Sequence, residues 1–277
     1  MWPAEETTTK IKIMAKNIGL IKISGKVGDL QFFKKEGKSY VGLSSNISKE
    51  RIQKDPAFKR TRENMSEFGG AAKVSKSIRE YLIPLKSLIE KQLHNRVTSM
   101  VRQLINVGSG DRGKRAVEFS ANQTEVNGFE LNKSTKVSEV MFTSNTLVTN
   151  ADRNQLILTI EEFLPSDYLL IPEGATHFRV HLAGLAISDF APVGPKNKYL
   201  PINETQHGAF IKDETSPIPV SSLVTGGITL TVDLPGAPVL APEVSLAGFI
   251  GIEFLQDVNG TFYQLASNNA LRIEKLF

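Results

Sequence analysis

The sequence has no cysteine among its 277 residues, and this absence removes several kinds of site from consideration. Without thiols the protein has no disulfide scaffold, cysteine nucleophile, iron–sulfur cluster or thiolate zinc site. Apolar runs of about 18 residues, which a membrane-spanning helix requires, are also missing. A signal peptide begins with basic residues, whereas Glu5 and Glu6 occupy that position here. We therefore expect neither a membrane span nor a cleaved signal.

The overall composition is that of a folded protein. Hydrophobic residues make up 40% of the chain and charged residues 22%, which argues against wholesale disorder. The length suits one large domain or two modest ones, and it is sufficient to bury a core without covalent cross-links.

Charge is distributed unevenly along the chain. Residues 1–115 contain 24 Lys and Arg against 11 Asp and Glu, whereas residues 116–277 contain 9 against 18. This asymmetry suggests an acidic partner for the first part. That partner is either a nucleic acid or other anionic surface, or the acidic part of a second copy, because complementary patches steer association. A basic, solvated helical region without a partner is the third interpretation.

Residues 1–47 are predicted to form a β-arm with hairpins. Polar and apolar residues alternate in TTTKIKIMA and again in LIKIS. DLQFFKK and SYVGL are the next pair of predicted strands, joined by a turn around Glu36-Gly37-Lys38. A sheet this small cannot bury both of its faces by itself. We expect it to pack on the rest of the chain or on another chain.

Residues 48–107 are predicted to be helical. Asp55-Pro56 is a helix-start signal, since Asp accepts hydrogen bonds from free N–H groups and Pro suits the first helical position. Gly69-Gly70 is expected to break or bend the first helix, and Pro84 to end it. Apolar residues then recur at intervals of three and four in PLKSLIEKQLHNRVTSMVRQLINVG. This segment is the clearest predicted helix, with its apolar stripe in a core.

Residues 116–277 are predicted to form a β-sandwich. The whole chain is then an α+β protein, in which an N-terminal β-arm and helices precede a predominantly antiparallel β-sandwich. Short strand-like segments alternate with prolines and turn signals, which favours a sandwich and leaves a barrel as the alternative. Asn259-Gly260 is a hairpin signal. The predicted strands are VEFSAN, EVNGFEL, KVSEVMF, QLILTI, THFRVHLAG, GITLTVDL, SLAGFIGIEFLQ, TFYQL and ALRIEKLF.

A glycine-rich segment at residues 108–115 matches most of a phosphate-binding loop. GSGDRGK fits the start of that motif, but Arg115 stands where a Ser or Thr hydroxyl would hold magnesium. The context is also reversed, because a predicted helix precedes the segment and a predicted strand follows it. We interpret residues 108–115 as a basic linker between the helical region and the sandwich.

The histidines give no catalytic or metal-binding pattern. His177 and His181 are four residues apart in a segment that alternates like a strand, and this spacing on a strand separates two side chains by about 13 Å. We expect both on an exposed polar face. His94 and His207 lack the serine and carboxylate pattern of a triad. We therefore predict no cofactor, no metal ligand and no enzyme activity.

Three segments resemble a family of uncharacterised bacterial proteins of similar length: GKVGDLQFF, DPAFKRTRENMSEFG and GIEFLQDVNGTFYQL. The resemblance extends over most of the chain, and the DPAFKRTREN stretch is its most distinctive part. It implies a recurrent module. No activity or catalytic residue is established for that family, so the resemblance supplies no site.

The predicted function is that of a non-enzymatic structural subunit that assembles with copies of itself into a filament, tube, shell or virion-like particle. An arm strand can join the sheet of a neighbour, and the opposite charges of the two parts can complement each other. We expect synthesis in the cytoplasm, and release as an assembly is an alternative left open. The predicted assembly interface consists of Ile11, Ile13, Leu20, Ile23, Phe32, Arg60 and Arg62.

Two alternatives come from other functional classes. Lysines and arginines are dense between residues 49 and 79, which favours non-specific binding of nucleic acid, although aromatic residues are sparse there and no recognition motif is present. The second alternative is a carbohydrate-binding or hydrolytic sandwich. Its site would lie in loops 190–219, which contain Tyr199 and several polar groups.

Overall fold

The structure, a computed structural model, describes residues 14–16, 23–44 and 47–277. The chain divides into two units, residues 1–61 and 62–277. The first unit contains β1 (Met14–Lys16), β2 (Gly25–Val27), β3 (Leu30–Lys35), β4 (Lys38–Leu43), α1 (Lys49–Lys54) and a 3-10 helix, Pro56–Phe58.

The four strands of the first unit form one antiparallel sheet in the order β1-β4-β3-β2. Glu36 and Gly37 have φ angles of 51° and 75°, the left-handed pair that a two-residue hairpin turn requires. The hairpin predicted at this turn is therefore confirmed. β1 pairs with β4 of its own chain, with Met14 opposite Gly42.

The strand predicted in LIKIS is wrong where the structure describes it. Ile23 and Ser24 lie outside any strand, and β2 begins at Gly25. The remainder of LIKIS, including Leu20, lies outside the described residues, as do Ile11 and Ile13.

Polar caps define the helix starts in residues 48–58. The hydroxyl of Ser48 accepts a hydrogen bond from the N–H of Arg51 at 3.1 Å, at the start of α1. The carboxylate of Asp55 accepts one from the N–H of Ala57 at 2.9 Å, and Pro56 follows the cap. The start signal at Asp55-Pro56 is confirmed, although it opens a single 3-10 turn that precedes the next helix.

The remaining helices are α2 (Lys59–Tyr81), α3 (Leu93–Val107), α4 (Val137–Val140), α5 (Pro165–Tyr168) and two 3-10 helices, Ile83–Leu88 and Gln123–Glu125. The remaining strands are β5 (Phe129–Glu130), β6 (Asn145–Thr149), β7 (Gln155–Ile160), β8 (His177–Ser188), β9 (Phe190–Val193), β10 (Lys198–Pro201), β11 (Phe210–Glu214), β12 (Ile218–Pro219), β13 (Ile228–Asp233), β14 (Val244–Val258), β15 (Thr261–Gln264) and β16 (Ala270–Leu276). Across the part of the chain that the structure describes, no helix is both long and apolar enough to cross a membrane.

The second unit consists of three antiparallel sheets, one of them the two-stranded pair of β10 and β9, and a helical layer, which confirms an α+β fold with a sheet-rich domain. A seven-stranded sheet has the core order β11-β8-β14-β16-β5, and a three-stranded sheet has the order β13-β7-β6. Side chains alternate between the faces of a strand. Accordingly, Val180 and Leu182 of β8 share a core with the three-stranded sheet, whereas Ala183 and Leu185 share a core with α2 and α3. The central sheet is thus covered on both faces.

The hairpin predicted at Asn259-Gly260 is confirmed. β14 and β15 pair antiparallel, with Val258 opposite Thr261. Asn259 and Gly260 between them have φ angles of 55° and 83°, again the left-handed pair of a two-residue turn.

Helix α2 is continuous through Gly69 and Gly70, so the break predicted there is wrong. A Cβ atom at Gly70 would lie 2.3 Å from the ring of Tyr199. Because Gly70 has no side chain, the ring of Tyr199 can approach the backbone of α2 closely.

The helix predicted to run from Pro84 is also wrong at its start. Residues Ile83–Leu88 form a 3-10 helix, and α3 begins only at Leu93. A 3-10 helix has three residues per turn, so Leu85 and Leu88 lie above one another, and both are buried. The apolar stripe beyond Leu93 is confirmed, with buried Leu93, Val97, Met100, Val101, Leu104 and Ile105.

Three predicted strands at the start of the predicted sandwich are wrong over most of their length. In EVNGFEL, a turn at residues 126–128 precedes β5, which comprises only Phe129–Glu130. KVSEVMF contains helix α4, whose first N–H groups, at Val137 and Ser138, donate to the carboxylate of Glu130 at 2.9 and 3.3 Å. This remote carboxylate caps the short helix. In VEFSAN, only Val117 forms a β-bridge, which pairs it with Phe190.

Replacing Leu104 with Asp should unfold the second unit, because it places a carboxylate at a fully buried position of α3. We expect the free energy of unfolding to fall by more than about 3 kcal/mol. Val107 in the same helix is 61% exposed, so the matched variant Val107→Asp should cost less than about 1 kcal/mol. Urea unfolding followed by circular dichroism measures both changes. Equal stabilities would contradict the orientation of α3.

Candidate functional site

The sheet of the first unit has two chemically different faces. Directly opposite residues of an antiparallel pair lie on the same face. Val27 lies opposite Leu30, which in turn lies opposite Leu43. Phe32 lies opposite Val41. We call these five residues the apolar face.

The apolar face is open to solvent. Val27 is 58% exposed, Leu43 56% and Leu30 43%, while Phe32 and Val41 are half-buried. Single apolar residues are common on protein surfaces, whereas a contiguous set on one face is typical of a contact surface.

The opposite face combines lysines with aromatic rings. Phe33 lies opposite Tyr40, and their rings stack with centroids 5.9 Å apart and planes inclined by 21°. Lys35 lies opposite Lys38 on the same side, and the side chains of both are exposed. Lys26 lies opposite Gln31 at the other edge. We call these six residues the lysine-aromatic face.

The predicted interface residues are distributed over several places. Ile11, Ile13 and Leu20 lie outside the described residues. Ile23 is exposed just before β2, and Phe32 lies in the middle of the apolar face. Arg60 and Arg62 lie in the first turn of α2, where both take part in further interactions.

A buried carboxylate organises one polar cluster of the second unit. Glu67 of α2 is fully buried and accepts hydrogen bonds from both Nε and Nη2 of Arg115, each at 2.8 Å. Nη1 of Arg102, in α3, donates to it at 2.6 Å, and the N–H of Gly113 donates at 2.7 Å. We call these four residues the Glu67 cluster.

The carboxylate of Glu67 is ionised at neutral pH. The hydrogen bonds from Arg115 lower the pKa of Glu67 to about 2 against the effect of burial, and Arg102 and Gly113 contribute. The pairing with Glu67 also raises the pKa of Arg115. A carboxylate with four donors and such a low pKa is a poor proton acceptor, so this cluster is a structural ion network rather than an acid–base centre.

Residues 108–115, predicted as a linker, form several hydrogen bonds with α2. Besides the contacts to Glu67, the hydroxyl of Ser66 donates to the carbonyl of Gly113 at 2.8 Å. The hydroxyl of Tyr199 donates to the carbonyl of Arg115 at 2.7 Å. Burial and the negative charge of Glu67 raise the pKa of Tyr199 to about 12. Tyr199 is buried, so its ring is not available to a carbohydrate at loops 190–219.

The position of Glu67 in the sequence could have indicated its burial. Glu67 lies three residues before Gly70 and seven before Val74, both of which are buried. This spacing places all three on one side of the helix. A charged residue within a buried stripe needs partners, and that requirement could have identified Glu67.

A serine and a histidine that are remote in sequence come together beside the core. Ser77 Oγ lies 2.9 Å from Nε2 of His207, and the N–H of Ser188 donates to Nδ1 of His207 at 3.3 Å. Burial lowers the pKa of His207, which favours the neutral ring. Because Nδ1 accepts a hydrogen bond, the proton of the neutral ring is on Nε2 and is donated to Ser77. His207 therefore does not act as a base toward this serine.

Asp189 follows Ser188 in the chain, but its carboxylate is paired with Ser120. Asp189 accepts hydrogen bonds from the N–H and the hydroxyl of Ser120. Burial raises the pKa of Asp189, and the hydrogen bonds from Ser120 oppose this effect. Serine, histidine and carboxylate are thus divided between two pairs instead of forming the chain of contacts that a triad requires.

His181 lies in an ion network on the helix-covered face of the central sheet, so its expected exposure is wrong. The side of β8 was predicted correctly, but the helical layer covers it and His181 is buried. Its Nε2 lies 3.3 Å from Glu253 and its Nδ1 3.2 Å from Glu214. The guanidinium of Arg179 lies between the same carboxylates, at 3.4 Å from Glu214 and 3.6 Å from Glu253.

The carboxylates around His181 already have cationic partners within the same network. Burial alone would raise the pKa of Glu214, but His181, Lys212 and Arg179 together hold it below its ordinary value. Among the residues that the structure describes, no group of three His, Asp or Glu side chains has an arrangement that could hold a metal ion. His177, at the edge of the strand, packs against the ring of Phe262 instead.

Searches against protein-family models and against curated proteins gave no match for this chain. The resemblance to a bacterial family therefore stays a prediction, and the assignment of function depends on the geometry described above.

Replacing Glu67 with Gln should lower the free energy of unfolding by about 3 kcal/mol at pH 7, because two guanidinium groups lose their carboxylate. The folded-state pKa of Glu67 lies below its ordinary value of 4.5, at about 2. The contribution of the Glu67 carboxylate to the free energy of unfolding is therefore complete above pH 4.5 and is lost as the pH falls toward 2. Urea unfolding at several pH values should show a smaller loss of stability over this range in the variant.

The matched control for this prediction is Glu80→Gln. Glu80 lies in the same helix and pairs at 3.6 Å with Lys76 at the surface. We expect it to change the free energy of unfolding by less than about 0.5 kcal/mol. Indistinguishable effects of the two glutamine variants would show that the Glu67 cluster does not stabilise the fold.

Proposed function

We propose that this protein is a non-enzymatic structural subunit that assembles with copies of itself through its N-terminal sheet. The observation that carries the proposal is the exposure of the apolar face, where Val27, Leu30 and Leu43 are each more than 40% exposed. A small sheet with an open apolar face gains stability when another surface covers it. A second copy of the chain is the partner that is always present at matching concentration.

Burial of exposed apolar side chains supplies the free energy of the proposed contact. Fully burying an exposed Val or Leu side chain contributes about 1.5–3 kcal/mol. Val27, Leu30 and Leu43 together therefore supply a contact of several kcal/mol before the cost of association is subtracted. Such a contact is weak for two molecules but sufficient when it repeats along an assembly.

Strand exchange by the arm is a further element of the proposal. β1 pairs with β4 of its own chain in the described structure. The same backbone hydrogen bonds form when the β4 comes from a neighbour, which is the basis of domain swapping. The excess of basic residues in 1–115 and of acidic residues in 116–277 provides complementary charge between copies.

The non-enzymatic part of the proposal is supported by the state of the polar clusters. The carboxylate of Glu67 is saturated with donors, the His207 ring donates to Ser77, and the carboxylates around His181 are paired with cations. In each of these three clusters the carboxylate or the serine already has a partner within the cluster, which favours a structural role.

The decisive variant is the double substitution Leu30→Asp with Leu43→Asp, which places two charges on the apolar face. We expect assemblies to disappear while the second unit keeps its thermal unfolding transition. Sedimentation velocity and negative-stain electron microscopy over a protein concentration series measure the assembly. Calorimetry measures the transition.

The control for this experiment is Val239→Asp. Val239 is 66% exposed in the second unit, so the control also places a carboxylate at an exposed apolar position but outside the apolar face. The control should assemble like the unmodified protein. Undiminished assembly of the double variant, or an unmodified protein that remains monomeric throughout the concentration series, would refute the proposed interface.

A second candidate function is the binding of single-stranded nucleic acid, and a specific observation favours it. The lysine-aromatic face provides the stacked rings of Phe33 and Tyr40 beside Lys26, Lys35 and Lys38. Aromatic rings stack on bases while lysines neutralise phosphates, and this combination tolerates any sequence. The candidate surface is therefore this sheet rather than the helices to which sequence analysis assigned it.

Two adjacent lysines allow a matched test of this candidate. Lys35 lies on the lysine-aromatic face, whereas Lys34 lies opposite Ser39 on the other side of the sheet. Lys35→Glu should weaken the binding of a fluorescent oligothymidylate about threefold or more, because a phosphate contact is replaced by repulsion. Lys34→Glu should have a much smaller effect in the same anisotropy titration. Equal losses, or no binding by the unmodified protein at low salt, would exclude this candidate.

A further inference from the structure

A cavity of about 490 Å³ lies where α2 ends and α3 begins. Leu82 at the end of α2, Ile83 in the 3-10 helix, and Ile89 and Leu93 beyond it supply apolar walls. The volume lies within the range of small-molecule sites, which are mostly apolar with a few polar groups. This cavity is separate from the Glu67 cluster and from the His181 network.

The charged residues of the cavity are predominantly basic. Arg79, Lys86 and Lys91 line it, together with a single acid, Glu90. The carboxylate of Glu90 is already engaged, because it accepts from Arg96 at 3.1 Å and from the N–H of Lys133 at 3.0 Å. It is therefore not the counter-ion of these three cations.

Arg79 has an unsatisfied donor beside the cavity. Its Nε is buried and has no hydrogen-bond partner among the described residues. The guanidinium of Arg79 forms no ion pair with any described carboxylate, and neither Lys86 nor Lys91 does. A buried donor without an acceptor is costly, and such a group in a native structure calls for an explanation.

We propose that this cavity binds a small organic carboxylate with an apolar tail. The tail would lie against Leu82, Ile89 and Leu93, and the carboxylate would meet Arg79 and Lys86. The planar guanidinium matches the geometry of a carboxylate, and lysine adds a flexible positive charge. This inference does not depend on the proposed assembly.

The test uses three eight-carbon probes that differ in the head group: octanoate, octanol and octylamine. Isothermal titration of the full-length protein at pH 7 should show saturable binding of octanoate and at least about tenfold weaker binding of octanol and octylamine. Vesicles of phosphatidylglycerol form a separate arm, because an anionic lipid surface would also attract a basic apolar site. We expect binding of free octanoate without comparable binding to the vesicles.

Two variants locate the binding site. Lys86→Glu should weaken octanoate binding about tenfold, whereas Lys196→Glu, in an exposed turn of the same unit, should leave it within about twofold. Ile89→Trp fills the cavity and should abolish binding of the tail. Equal affinity for octanoate and octanol, equal losses in both lysine variants, or binding to vesicles alone would overturn the proposal. So would the absence of octanoate binding at millimolar concentration.

Discussion

The carboxylate of Glu67 is the contact on which the arrangement of the second unit depends. Its donors come from α3, through Arg102, and from the segment after α3, through Gly113 and Arg115. The carbonyl of Arg115 then receives the hydroxyl of Tyr199, whose ring occupies the space left by Gly70. One buried charge thus connects α2, α3, residues 108–115 and β10. Because an uncompensated charge is so costly in a core, these elements are fixed relative to one another.

The first unit, in contrast, leaves the apolar side chains of its sheet exposed. Its described strands form hydrogen bonds to one another, yet its apolar face stays in water and its other face presents lysines and stacked rings. The two functions that we propose are compatible, since each would use a different side of the same strands.

The interruption between α2 and α3 has a further consequence for function. The chain leaves α2 at Tyr81, passes through a 3-10 helix and enters α3 at Leu93. A continuous helix would close the space between these ends, whereas the 3-10 segment leaves a cavity bounded by leucine and isoleucine side chains. Basic residues of the same segment, including Lys86, surround the opening. The 3-10 segment thus lines a cavity at the surface of the helical layer.

Features that depend on neighbouring residues could be predicted from the sequence. Periodicity predicted the buried stripe with Leu104 and strands such as β7 and β13, and Asn259-Gly260 indicated a hairpin, because side-chain direction and turn geometry follow from local spacing. Features that depend on contacts with other elements could not be predicted. The carboxylate of Glu130 made a helix of KVSEVMF, the ring of Tyr199 explained Gly70, and the helical layer buried His181. The pairing of Glu67 belongs to the same class, since its partners lie 35 to 48 residues further along the chain and only the folded core brings them together.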